Sequence, residues 1–595
     1  MVNGAYNYRS RFLLDLFQAI VLPGLVLTSL THIFDIRLGL LYLPALIAVV
    51  PCWGITKGLI RNILRSRQQQ VLNAKPIPCV VGEWPGNIDV LLRMTRAFRT
   101  SYILDVYLEL FEEYQCTTLN TRILWTDSII TMDQEHIKFV LATGFNHFWR
   151  GKYQKERMER FLGQGIFNRD DEIWKMHRIN TRPFFARERV SDFHTFETYT
   201  SRTLDIISNF SAADQAFDAQ DLFSRFALDA ASDSLFGKNL DTLSAALPIA
   251  GQTRMGPKGS ATEDGWGSFA HAFEMAQQVV TNRARLGPWV WPLMEFWKDK
   301  NKENVEVIHG FLEPLVQQAI ELKKKMAESG VTSPIEEKTF LQHLADSTDD
   351  PIIIRDQLLS LLLASRDTTA CLLTYVVYFM AIYPDIARKL RNEVLEHCGP
   401  RSPPTYEQIR NMKYLRAVLN ETLRLYPPVP LNVRESRAAS ALPCPDPTFP
   451  ADVRPLYMPG STPVIYLPLL TQRNKALWGP DADVFCPERW TEPARIAHFV
   501  SNPAMFTPFS AGPRICIGQS YAYNEASYFL VRLLQEYDIF SLAPGAQPQG
   551  SLPPSEWKGR RGRQAEERIW PGAALTLYVK GGLWVRFGKA DSTPL

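Results

Sequence analysis

Between Ile352 and Tyr383 the chain runs without a single proline or glycine, apolar at helical spacing, until Pro384 closes it. A helix of that length extends about 45 Å and would cross a whole domain. Arg366 and Asp367 stand near its middle, and two charges at the centre of a bilayer are costly unless they line a cavity. The run therefore reads as the spine of a large globular unit. Net charge argues against a nucleic-acid binder: 65 Lys and Arg against 62 Asp and Glu leave +3, too balanced for a basic gripping face. A hydrophobic share of 46% with 21% charged excludes a disordered chain. The eight cysteines, at 52, 79, 116, 371, 398, 444, 486 and 516, include no CxxC pair. Zinc-ribbon spacing is absent, and the bulk reads as reduced and cytosol-facing.

The amino-terminal region has a different character. Residues 12–34 are mostly apolar but include Asp15 and Gln18, whereas 38–55 contain no charge. The second is the better membrane span, and no small-residue cleavage site follows a short apolar core. Arg9 and Arg11 precede the pair, and Lys57, Arg61, Arg65 and Arg67 follow it. That distribution reads as a hairpin with both ends cytosolic; the alternative is an interfacial first helix and one span. Residues 1–67 are thus expected to be a membrane anchor and 68–88, with their prolines, a stiff linker. A single catalytic domain is expected over 89–595. Its fold class is mainly α with small β-sheets, since helical spacing dominates from Asp89 to Cys398 and strand-like pieces such as 573–587 are short and late. The stretches starting at Gly251 and at Pro544 read as surface insertions, and the basic run 558–563 as a solvated loop.

The chemistry concentrates in FSAGPRICIG, residues 509–518, followed by a helical pattern. A cysteine opening a helix sits where backbone N–H groups and the helix dipole lower a thiol pKa. Gly512 and Gly518 let backbone pass close to a flat partner, Arg514 offers a cation to a carboxylate, and Phe509 can shield the sulfur.

With this loop the chain resembles the cytochrome P450s, the haem-thiolate monooxygenases, whose ligand loop follows FxxGxRxCxG. The resemblance implies the fold of that family and haem b, with Cys516 as the axial thiolate and metal ligand. Four further motifs follow in the family's order. WKMHR places Trp174 and Arg178 four apart on one helical face, and in the family these reach a haem propionate; His177 would be a further propionate contact or a packed surface histidine. Residues 364–369, Ala-Ser-Arg-Asp-Thr-Thr, match AGxDTT except that Ser365 replaces the glycine of the dioxygen groove. The resemblance makes Asp367 and Thr368 the acid-alcohol pair that relays protons, while the hydroxyl of Ser365 puts the groove's geometry in question. ETLR and the later CPERW imply a structural triad of Glu421, Arg424 and Arg489, because buried charges demand mutual pairing. Arg434, on an extended segment after PPVPLNV, resembles the family's propionate-binding base. Val429, Pro430 and Leu431, with Ala573, Ala574 and Leu575, are expected to line the distal pocket.

Residues 167–185 and 511–535 further resemble the fungal branch related to alkane and fatty-acid hydroxylases. The implied activity is insertion of one oxygen atom from O2 into a hydrophobic small molecule, such as an alkane, fatty acid, polycyclic aromatic or similar xenobiotic. Electrons would come from NADPH-cytochrome P450 reductase, since no Rossmann GxGxxG follows a strand. That reductase would dock near Lys175 and Arg182, and the anchor would contact membrane lipid of the endoplasmic reticulum with the catalytic domain in the cytosol. The competing readings are a tailoring hydroxylase of a terpenoid or polyketide pathway, a haem-thiolate isomerase or dehydratase, and a non-catalytic membrane haem binder. Retained Asp367 and Thr368 argue against the last two.

Overall fold

The computed structural model describes residues 7–186, 189, 193–252, 265–329, 338–444 and 454–590. Two helices, Tyr8–Ile33 and Gly39–Val71, are long and apolar enough to cross a membrane. They pack against each other, with the Thr28 and Tyr42 hydroxyls 2.8 Å apart. Gly24 marks the close approach, since a Cβ there would lie 3.2 Å from Leu46. Pro51 sits inside the second helix without ending it.

The expected linker is part of the fold instead. Residues 68–71 complete the second apolar helix. Strand Lys75–Pro76 then pairs in parallel with Leu456–Met458, and Ile77 and Val80 are buried. Pro76 is tolerated because its strand lies at the edge of a three-stranded sheet. Proline signals a break in helical periodicity, and here that break is an edge strand.

The spine is the helix Pro351–Ile382, entered through Asp350, whose carboxylate accepts the amides of Ile352 and Ile353. Nearly every side chain from Ile354 to Met380 is buried. Arg366 and Asp367 are among them, and they survive there because they pair at 3.2 Å while Arg366 also reaches Glu274, 3.5 Å away on the helix Gly265–Met294. Helices Ala219–Phe236, Lys413–Leu425 and Gln519–Glu536 pack around the spine.

Among the described residues, four small sheets flank this helical body. The one that shapes the site has five short strands in the order Thr118–Asn120, Ile129–Thr131, Pro463–Tyr466, Asn432–Ser436 and Phe148–Trp149. Its register sets Trp149 opposite Glu435, so Arg150, immediately after Trp149, is brought beside Arg434. The late segment 573–587 does form short strands, in two different sheets: Leu577–Val579 pairs with Pro571–Ala573, whereas Trp584–Lys589 pairs with Tyr537–Leu542 and Phe217–Asp218. Gly581 and Gly582, both at positive φ, carry the chain between the two sheets.

Most of the stretch that begins at Gly251 lies outside the described residues. The basic run 558–563 corrects the solvated-loop reading at one end. Arg563 is buried, its Nε 3.0 Å from Glu567 and its guanidinium over Phe379. Tyr102 and Tyr378 also donate hydroxyls to Glu567, at 3.1 and 2.6 Å, and Tyr426 joins them. Composition marks all six residues as surface-like; the fold buries one because a carboxylate awaits it. Arg563→Met should therefore destabilise by about 3 kcal/mol or more, the usual consequence of leaving one partner of a buried pair. Arg560→Ala, on the exposed part of the same run, should stay within about 0.5 kcal/mol. Denaturant midpoints of the two variants make the comparison.

Candidate functional site

The loop 509–518 is held open-handed above the amino terminus of Gln519–Glu536. Gly512 is left-handed at φ +64°, and a Cβ there would lie 1.9 Å from the Leu141 carbonyl oxygen. It is required by the close approach of another protein segment, not of a flat partner. A Cβ on Gly518, by contrast, would meet only Phe185 at an ordinary 3.4 Å. The Cys516 amide donates to the Phe509 carbonyl (2.9 Å), the Arg178 guanidinium donates to the Ile515 carbonyl (2.9 Å), and Phe509 packs against Tyr523.

Cys516 faces an internal cavity. Its thiol does not follow the expected lowering: burial pushes it up, and the Gly518 amide and Arg178 oppose that shift without overcoming it. An apolar enclosure costs a lone thiolate more than one amide and a partly screened guanidinium return. A cation directly at the sulfur is what would deprotonate it.

The central helix forms one wall of the cavity with Leu361, Ala364, Ser365, Thr368 and Thr369; the loop 507–518 lies opposite, and Ile166, Phe167 and Val429 close the space. Pro430, Leu431 and 573–575 are not among the lining residues. Leu431 packs on the main core, Leu575 on the second core, and the Ala573 carbonyl accepts from Arg285 (2.9 Å).

One end of the cavity is strongly cationic. Arg150, Arg178, Arg434 and Arg514 all line it, with Trp174 among them. Arg514 bonds Asp170 at 2.7 Å and lies over the Trp174 ring, which Arg178 also approaches. Arg150 and Arg434 share the Asn432 Oδ1 oxygen, at 3.2 and 3.4 Å. Neither reaches a carboxylate among the described residues, and the Arg150 Nε is buried with no hydrogen-bond partner. Burial together with the neighbouring Arg434 and Arg514 holds the Arg150 pKa well below its ordinary value. Such a cluster calls for anions. The two propionates of a haem supply that charge, and the thiol and the apolar walls suit the macrocycle, so the residues present fit this group. Arg150 escapes sequence reading because no motif surrounds it; only the strand register places it beside Arg434. His177 is neither a propionate contact nor at the surface. It is buried beneath its helix, bonded to the Gln164 carbonyl (2.9 Å), with burial pushing its pKa down to about 4.

On the central helix, the Thr368 hydroxyl donates to the Ala364 carbonyl (2.6 Å) and that of Ser365 to the Leu361 carbonyl (2.9 Å). Asp367 is buried against Arg366. Two residues after Asp367, Thr369 donates to Glu525 (2.8 Å), a fully buried carboxyl whose pKa burial pushes up to about 8.

Beneath the loop, Glu421 and Arg424 form a double hydrogen bond at 2.8 Å and are wholly buried. Arg489 approaches Glu421 at 3.4 Å, and the Trp490 indole and Cys486 amide donate to the same carboxylate. Arg424 also donates to the Gln472, Ala482 and Val484 carbonyls. The Gln472 side chain in turn accepts the Thr507 amide (3.0 Å) at the start of the thiol loop. The triad thus reaches the loop through Gln472.

The sequence model of the cytochrome P450 family matches residues 90–556. Cytochrome P450 52-E3 of Starmerella bombicola is 36% identical over 78% of this chain and 85% of its own length. Cytochrome P450 52E2 of Candida apicola is 35% identical over 79% and 87%. The cytochrome P450 monooxygenase himC of Aspergillus japonicus is 36% identical over 74% of each.

Two outcomes follow from the geometry. Arg150→Ala should weaken haem retention by roughly tenfold or more, the worth of one charge-assisted hydrogen bond, measured by transfer of haem to an acceptor protein. Glu525 binds a proton in the folded state that the unfolded chain loses near pH 4.5, so its contribution to stability falls as pH rises from there to about 8. Unfolding free energies measured across that window should decline less steeply in Glu525→Gln.

Proposed function

The chain belongs to the cytochrome P450 family, and from that footing we propose that it hydroxylates a long, apolar substrate delivered by a membrane. It is a P450 monooxygenase, an oxidoreductase that needs a redox partner and O2 and acts on hydrophobic molecules. An alkane or fatty acid is the substrate class proposed here, with electrons drawn from NADPH through a separate cytochrome P450 reductase. The observation that carries this reading is the cavity itself. Away from its cationic end the walls are mostly apolar, with Ile166, Phe167, Leu361, Ala364 and Val429 beside the hydroxyls of Ser365, Thr368 and Thr369, and they offer an apolar chain shape and exclusion of water but no charged grip.

Haem held by Cys516, when bound, supplies the chemistry of dioxygen activation and oxygen transfer. Everything else falls to the protein. Arg150, Arg434 and the Trp174–Arg178 pair would hold the propionates, and Glu421, Arg424 and Arg489 brace the loop through Gln472. Apolar walls keep the substrate oriented and dry. Thr368 presents a hydroxyl oxygen to the cavity while its proton rests on the Ala364 carbonyl. Rotation about one bond lets that hydroxyl donate into the cavity, and buried Asp367 beside it is the acid proposed to replenish it. Ser365 spends its own proton on the Leu361 carbonyl, as a helical serine does, and occupies space that a glycine would leave open.

The proposed docking face for the reductase is the exposed side of the helix Asp171–Thr181. Lys175 is exposed there, paired with Glu172, and Arg182 follows it. Exposed Met176, Ile179 and Ile515 surround these charges. The two apolar helices are proposed to sit in the endoplasmic reticulum with the domain in the cytosol. A second reading is hydroxylation of a terpenoid or polyketide skeleton, which the same uncharged walls would also admit.

Thr368→Ala should consume NADPH at a similar rate yet release peroxide instead of product; unchanged coupling would remove Thr368 from proton delivery. Turnover of a panel of fatty acids, alkanes, polycyclic aromatics and terpenoids separates the two substrate readings. Alkaline carbonate should leave the full chain in the membrane pellet, and release into the supernatant would end the anchor assignment.

A further inference from the structure

The amino-terminal residues are doing something that an anchor alone does not require. Arg11 has the place of a basic residue at a membrane edge, yet it is only 5% exposed. Its Nε donates to Glu156 (2.6 Å) on the helix Lys152–Leu162, one terminal nitrogen to Asp15 (2.7 Å), and the other to the Pro288 carbonyl (2.8 Å). Tyr8 is buried too: its hydroxyl donates to the Glu295 carbonyl (2.9 Å) and its ring lies 4.5 Å from that of Trp291. Arg9 donates to the Phe296 carbonyl at 2.7 Å. Three polar side chains within four residues therefore bind two separate parts of the catalytic domain.

Those two parts are also tied to each other, on their inner side. The segment 287–301 leaves the body of its helix at left-handed Gly287. Arg283 holds Glu295 and Asp299, each at 2.6 Å, and Arg160, from the Lys152–Leu162 helix, bonds Asp299 at 2.8 Å. The helix Lys152–Leu162 runs between Arg150 at one end and Ile166 and Phe167 at the other, all of which line the cavity. Any displacement of this helix therefore moves cavity wall.

We propose that residues 8–15 are a clasp beside the cavity, holding the Lys152–Leu162 helix and the 287–301 segment together so that the anchor governs admission of substrate. The physical reason is topological. The inner ties among Arg283, Arg160, Glu295 and Asp299 join the two segments to one another, whereas the contacts of Tyr8, Arg9, Arg11 and Phe12 join them to a helix fixed in another frame. Release of Arg11 would take from buried Glu156 its bonded cation and would free the Pro288 carbonyl, so both segments would loosen. Inward traffic of an apolar molecule from the bilayer would then pass where the clasp had been. This inference rests on the reading of Tyr8–Ile33 as a membrane helix.

The test is hydrogen exchange by mass spectrometry on the full-length haem-loaded protein in lipid nanodiscs, comparing wild type with Arg11→Met and Glu156→Gln. Both variants should raise exchange in 152–162 and 287–301 by about tenfold or more, while 354–380 of the central helix stay protected. Stopped-flow uptake of a long-chain fatty acid carrying a fluorophore should accelerate in parallel. Unchanged protection of the two segments would overturn the proposal, as would loosening without faster uptake. Equal loss of protection in the central helix of both variants would also overturn it, by making the contact part of the global fold. The same loosening is expected in detergent micelles, because the clasp is intramolecular. A failed membrane assignment would instead show in carbonate extraction, so the two failures are distinguishable.

Discussion

Glu421 and Arg424 sit three residues apart on one helix, with no water to solvate either, and their double hydrogen bond must hold for the thiol loop to stand where it does. Two buried charges of opposite sign would be a poor source of stability by themselves. Here they are recruited for position. Arg424 spends its remaining donors on three carbonyls from 472–484, and Gln472, clasped by that region, takes the amide of Thr507. Loop residues without regular secondary structure thereby acquire a fixed frame, and Gly512 completes it by letting the backbone pass almost against Leu141.

A second electrostatic asymmetry gives the cavity its direction. Arginines crowd one end with too few carboxylates, while the other walls are uncharged and mostly apolar. Burial and mutual repulsion make such a cluster unfavourable until anions arrive, which couples the stability of the site to the cofactor it is built for. The thiol shows the same logic. It is raised by burial, so its useful ionised form depends on a cation at the sulfur.

Much of this was legible in the chain before any coordinates. The loop 509–518, the ETLR and CPERW pair and the charged centre of the long helix each carry local patterns whose spacing is their meaning. Other features were not. Arg150 has no motif, and becomes a site residue only when Trp149 registers opposite Glu435. His177 shares a helix with Trp174 and Arg178 but points beneath it to Gln164. Proline in 68–88 suggested a linker, yet an edge strand tolerates proline equally well. Arg563 belongs to a run that composition assigns to solvent, and Glu567, four residues on and held by three distant tyrosines, takes it into the core.

By itself, then, the amino-acid sequence determined the helical spine, the apolar amino-terminal pair, the thiol loop and the charges that brace it, because each depends on residues within a few turns or on ordered motifs along the chain. Only the tertiary structure decided which cations face the cavity, which charges are buried, and that Tyr8 and Arg11 reach the 287–301 segment and Glu156. Those outcomes turn on partners hundreds of residues away, and desolvation and pairing energies exist only once the fold has brought them into contact.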